Sequence, residues 1–213
     1  MIKRLIKKYW HYATLTILAA LFFIGVSSYI HFLQKDGFIK WGSPDETANY
    51  IFAKLYAQEG QLIIFEKYNL SVGNILHPRS MRSDFGEIKP VSFLGIILIY
   101  GKIASIFGYK IIPYLTPILA SVGIIYFYLL IKKIFGRANA LLSAFFLASF
   151  PVYIYYSARS MFHNVLFTVL LIISLYYAVL MVGRKKRHFT SLKWVGRLMP
   201  LSYASLSGVF LGL

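Results

Sequence analysis

Four long runs of this chain carry no formal charge: Ala13 to Leu33 and Ile111 to Ile131 over 21 residues each, Ala138 to Tyr156 over 19, and Met161 to Val182 over 22. At ~1.5 Å per helical residue each run reaches about 30 Å, the thickness of a bilayer's hydrocarbon core. Inside lipid every backbone N–H and C=O must be paired within the segment, so a helix is the form open to such a run. Hydrophobic residues make up 58% of the sequence, above the ~45–50% of an ordinary soluble domain. The chain therefore reads as an all-α integral membrane protein, a multi-spanning helical bundle.

The charges divide unevenly along it. All seven acidic residues lie between Asp36 and Glu87, and the window from Asp36 to Lys89 nets −1, while the rest of the chain nets +17. The excess of +16 does not point to nucleic acid, because the bases form short clusters between apolar runs rather than a stripe along one face. It fits a translocated loop held between cytoplasm-facing basic flanks. Val91 to Phe107 decides the arrangement: it is apolar but has only 17 residues and is interrupted by Lys102. If that segment stays on the outer side, nine bases from Lys132 to Arg137 and from Arg184 to Arg197 fall in the cytoplasm and Arg159 falls outside. The expected layout is an outer loop at about 36–110, spanning helices at about 13–33, 111–131, 138–156 and 161–182, and the start of a further one at 198–213. A last apolar run without a closing polar tail is the pattern of an N-terminal part of a longer protein.

The stretch from Trp41 to Tyr50, WGSPDETANY, opens the outer loop. Ser43 predicts an N-cap, Pro44 the first helical position, and Glu46 the capping-box residue. Ala48, Ile51, Phe52, Leu55 and Tyr56 share one helical face and Gly60 gives a stop, so a short amphipathic surface helix is expected. From Gln61 to Pro90 the breakers Asn69, Gly73, Asn74, Pro78, Gly86 and Pro90 predict a loop with little regular structure.

Ionisable groups near a membrane are costly, and several on one side make a site hypothesis. The outer side collects Asp45, Glu46, Arg79, Arg82, Lys89 and Arg159. A carboxylate can take the proton of an attacking hydroxyl, and Arg or Lys can stabilise charge growing on a departing phosphate. That set suits glycosyl transfer from a lipid phosphate. Asp45 and Glu46 also suit the acidic first turn of a capped helix, and the basic residues also suit headgroup contacts. No glycine-rich or Walker sequence marks a nucleotide site. Five scattered histidines and no cysteine give no ligand spacing for a metal. No cofactor is expected, and the loop leaves a divalent metal open.

These residues resemble the polyprenyl-phosphate-dependent members of the glycosyltransferase C superfamily, which include the dolichyl-phosphate-mannose protein mannosyltransferases and the aminoarabinose transferases of lipid A. The acid pair Asp45–Glu46 is similar to the one opening that family's first outer loop. Lys89–Pro90 is similar to its Lys-Pro, and Phe107–Gly108 and Phe135–Gly136–Arg137 to its FG and FGR-like turns. The family's Asp five positions after an Arg is Asn164 here, after Arg159. The resemblance implies a membrane glycosyltransferase moving a sugar from a polyprenyl-phosphate donor to a protein, lipid or glycan acceptor on the outer face of the cell membrane. Asp45 and Glu46 would be catalytic, and Lys89, Arg159, Arg79 and Arg82 would bind the donor phosphate. Membrane lipids are the remaining expected partners. A non-enzymatic polyprenyl-lipid transporter or flippase, or a membrane assembly subunit, is the alternative.

Overall fold

The computed structural model describes residues 2–33, 41–91, 93–188 and 208. The expected further span at 198–213, apart from Gly208, and the start of the outer loop at 36–40 lie outside the described residues. Among these residues seven α-helices and three short strands follow in the order α1 (Ile2–Leu33), α2 (Pro44–Glu59), β1 (Ile64–Phe65), β2 (Met81–Asp84), β3 (Glu87–Pro90), α3 (Leu94–Phe107), α4 (Ile112–Phe135), α5 (Arg137–Ser149), α6 (Pro151–Ala158) and α7 (His163–His188).

Among the described residues three stretches are long and apolar enough to cross a membrane: Tyr9–Leu33, Tyr109–Phe135 and His163–Val182. α5 and α6 make a fourth if taken as one broken span, bent by 54°. The unbroken helix expected at 138–156 is thus two, and the cause is Pro151, which has no N–H to continue the ladder and disfavours helical backbone at Phe150 before it. Phe150 is extended at φ −70°, ψ 119°. Large apolar side chains stand open to the surroundings along the spans, among them Leu21 at 63% and Phe167 at 65% exposure, as lipid-facing positions require. α3, with 14 residues, reaches only about 21 Å.

The chain forms two compact units. Within the described residues the first comprises 2–25, 118–154 and 165–188. Its core holds Leu15, Ala19 and Phe22 from α1, Ala120, Ile124 and Tyr128 from α4, Ala140 and Ala144 from α5, and Val165, Val169 and Ile172 from α7. Small residues let these helices approach closely. At Gly123 a Cβ would lie 2.6 Å from the Tyr153 hydroxyl and 2.7 Å from Val169, and that hydroxyl donates to the Ala120 carbonyl at 2.8 Å.

The second unit comprises residues 26–117 and 155–164 and contains α2, the strands and α3. α2 and α3 pack against each other through Ala48, Phe52 and Ala53 on one side and Ile96, Ile97, Tyr100 and Ala104 on the other, all buried. Their backbones come close at Gly101, where a Cβ would stand 2.9 Å from the Ala53 carbonyl oxygen.

The region from Gln61 to Pro90 carries more order than its breakers predict. β1, β3 and β2 form an antiparallel sheet in that spatial order, with Ile64 opposite Ile88, and Ser83 opposite Ile88 on the other side. Two of the supposed breakers build it. The buried Asn69 amide donates to the Leu76 carbonyl at 2.9 Å and its oxygen accepts from Leu76 N–H at 2.8 Å. Asn74 Oδ1 accepts from Gly86 N–H at 2.8 Å. Asparagine side chains thus satisfy backbone groups that a longer strand ladder would otherwise have to pair.

Candidate active site

Every predicted site residue falls in the second unit, and the structure sorts them into two groups. The first is built on the N-terminus of α2. Ser43 is extended, and its hydroxyl accepts from Glu46 N–H at 3.3 Å. Pro44 occupies the first turn, and Gly60 closes the helix in the left-handed region at φ 72°. The cap fixes where Asp45 and Glu46 stand, and the first turn favours negative charge there.

The two acids then part company. Glu46 is 1% exposed, and its Oε2 accepts from both Nε of Arg159, at 2.8 Å, and Nη2. The capping-box geometry expected of Glu46 is not what its carboxylate adopts, because a guanidinium offers two charge-assisted bonds where a backbone N–H offers one neutral one. Asp45 is exposed and accepts from the Ser80 hydroxyl. Ser80 itself holds a left-handed backbone at φ 69°, uncommon for a residue with a Cβ.

Arg159 follows the last turn of α6, and its N–H still bonds to Tyr155 O at 3.0 Å. Tyr155, one turn earlier, accepts from Nη1 at 2.7 Å. The guanidinium carbon lies 5.5 Å from the Tyr155 ring centre and 5.0 Å from that of Phe162, within cation–π range. Gly42 leaves room for it, since a Cβ there would stand 2.8 Å from Nη2. The Glu46 carboxylate holds the Arg159 guanidinium above its already high protonation range. The turn after Arg159 is tied down as well: Asn49 Nδ2 donates to Met161 O at 2.8 Å, and the Thr116 hydroxyl donates to Ser160 O. His163 packs its ring 4.1 Å from that of Phe93, and Asn164 is half-buried.

The second group sits on the β2–β3 hairpin. Arg82 faces Lys89 across the two strands and Asp84 faces Glu87. Each cation turns to the acid on its own strand, Arg82 to Asp84 and Lys89 to Glu87, both at 2.7 Å. Arg79 precedes the hairpin and is exposed. Among the described residues no cluster of three histidines or acids is placed to hold a metal ion.

Asn49, Tyr155, Ser80 and Thr116 are contributors that the sequence reading missed. Asn49 and Tyr155 had a legible signal: one lies at i+3 from Glu46 and the other at i−4 from Arg159, the spacings that share a helix face. Ser80 and Thr116 reach the site across distant stretches of sequence and had none.

Among protein families, the dolichyl-phosphate-mannose-protein mannosyltransferases match residues 92–206. That stretch contains Arg159 and begins after Asp45, Glu46, Arg79, Arg82 and Lys89. No curated protein and no solved structure matches the chain. The matched stretch exceeds half of the sequence, and it runs through helices apolar enough to span a membrane. On this ground the chain belongs to the dolichyl-phosphate-mannose-protein mannosyltransferase family and is an integral membrane glycosyltransferase of the glycosyltransferase C type.

Proposed function

We propose that the protein transfers a sugar from a polyprenyl-phosphate carrier to an acceptor hydroxyl on the outer face of the plasma membrane, with Asp45 as the general base. The observation that carries this reading is the division of labour on the first turn of α2: one carboxylate stands exposed while its neighbour holds a guanidinium. A base needs access to a substrate proton, and a phosphate ligand needs a fixed cation.

In the reaction the acceptor oxygen attacks the anomeric carbon and its proton passes to the Asp45 carboxylate. The bond from that carbon to the phosphate oxygen breaks, and polyprenyl phosphate leaves with the electron pair. The lipid phosphate gains one negative charge in this step, which Arg159 is suited to stabilise, with Lys89, Arg82 and Arg79 as further ligands. Lys89 and Arg82 would exchange Glu87 and Asp84 for the phosphate. The outward orientation is supported by the concentration of acids between the basic flanks. The family's description makes a mannosyl donor and a protein acceptor the first pair to test.

The test is transfer from a labelled polyprenyl-phosphate sugar in membranes carrying the complete protein, native against Asp45→Asn at matched expression. Loss of a general base lowers the rate by about 10²–10⁴ while donor binding persists. Unchanged transfer would reduce Asp45 to a helix-terminal charge, and donor movement without transfer by the native protein would favour a transporter.

A further inference from the structure

The turn carrying Arg159 is held from α2 in two separate ways. Glu46 grips the guanidinium, and Asn49, three residues further along the same helix face, donates to the Met161 carbonyl at 2.8 Å. Glu46 and Asn49 are each 1% exposed. From the other side Thr116, wholly buried, donates to the Ser160 carbonyl and is itself within 2.6 Å of the Tyr100 hydroxyl. Two consecutive carbonyls of a short interhelical turn are therefore satisfied by buried side chains from two different helices. Such a turn has little freedom of its own, because displacing it would strand buried polar groups.

Glu46 is badly placed to exchange protons with a substrate. Its Oε2 already takes two charge-assisted bonds from Arg159, and the residue is closed to solvent, whereas a base must reach the hydroxyl it deprotonates. Arg159 keeps a quarter of its side chain open, with Nη1 on Tyr155. We infer that Glu46 and Asn49 are positioning residues for Arg159: α2 fixes the guanidinium and its turn in one pose toward the donor phosphate, and Glu46 takes no proton in the reaction. This rests on the reading of Arg159 as a phosphate ligand and Asp45 as the base.

The experiment is steady-state transfer by the complete protein in proteoliposomes, with polyprenyl-phosphate mannose as donor, across donor concentration and pH. Glu46→Gln keeps an oxygen for Nε but loses the charge. It should raise the donor KM about tenfold, hold kcat within about threefold, and leave the pH profile of kcat in place. Asn49→Leu should raise KM in the same way, with Asn49→Ala in its place should the leucine variant not fold. In an Arg159→Lys background either substitution should add less than about twofold, since the pose it supports is already lost. A fall in kcat of about 10²–10⁴ in Glu46→Gln with a displaced pH profile would make Glu46 the proton acceptor and overturn the inference. So would an unchanged KM in folded variants, or losses that multiply in the Arg159→Lys background. Asp45→Asn in the same series separates the two levels: transfer that survives it removes the reading beneath, whatever Glu46 does.

Discussion

Replacing Gly101 by alanine should destabilise the protein, although alanine is the better helix former. The added Cβ would meet the Ala53 carbonyl oxygen at 2.9 Å and Tyr56 Cδ1 at 2.7 Å. The tyrosine ring can swing aside, but the carbonyl belongs to the α2 backbone. Restoring ordinary contact, which begins at 3.4 Å, requires α2 and α3 to part by about 0.5 Å locally. Overpacking of this kind costs about 1–3 kcal/mol, and the helix-propensity gain offsets about 1 kcal/mol of it. The net loss of up to about 2 kcal/mol corresponds to a Tm lower by up to roughly 8 °C for a chain of this size, where the control gains. Gly25→Ala is the internal control: nothing lies within 4 Å of where its methyl group would stand on α1, so only the propensity term acts and Tm should hold or rise by up to about 4 °C. Thermal unfolding of detergent-solubilised protein, followed by the monomer peak in size exclusion, reads both. Because α2 carries Asp45 and Glu46, Gly101→Ala should also lower transfer by about tenfold or more. A Gly101→Ala protein as stable as Gly25→Ala would refute the claim that the two helices meet backbone to backbone there.

Three other outcomes follow from the geometry. Arg159→Leu strands the Glu46 carboxylate in a closed environment and should cost about 2–4 kcal/mol, while Glu46→Leu/Arg159→Leu recovers most of that; melting temperatures that fall additively would show the pair to be uncoupled. Phe85 occupies the first position of the β2–β3 turn at φ 50°, followed by Gly86 at φ 80°, and is 84% exposed. Phe85→Asn relieves a backbone that suits asparagine and should raise stability by about 0.5–1 kcal/mol, which a lowered Tm would contradict. The sequence has no cysteine, so Ile75→Cys and Ser191→Cys can be labelled singly in intact cells: Ile75, 72% exposed, should react with an impermeant reagent from outside and position 191 only after permeabilisation, and reaction of both from outside would overturn the proposed arrangement.

The parts legible in the sequence were those governed by local rules. Ser43, Pro44 and Gly60 announced both ends of α2 because capping depends on residues a few positions apart. The apolar runs announced the long helices because length and hydropathy suffice for that. Asn69 and Asn74 misled because the same side chain that breaks a helix can pair a backbone group several residues away, and a sequence does not say which it will do. Pro151 was visible, yet its bend was absorbed into a single apolar run, since hydropathy counts side chains and not N–H groups. The pairing of Glu46 with Arg159 spans 113 positions, and no periodicity relates residues so far apart. Reading the acids as one unit was natural at adjacent positions, but consecutive helical residues point about 100° apart, so one went inward and the other outward.

The β2–β3 hairpin has a consequence for how a donor would arrive. Its cations come with their own counter-ions, Arg82 with Asp84 and Lys89 with Glu87, so the face presents no net charge to the distance. Such a face does little to draw soluble anions from the medium, where long-range attraction follows net charge. On the proposed reading it would act at contact, as an ion exchanger does, releasing a carboxylate only when a phosphate is already in place. A ligand tethered to the membrane is delivered by lateral diffusion and has no need of attraction from bulk. A hairpin proposed to bind donor would in that sense draw little free phosphate from bulk and depend on phosphate carried to it on a lipid.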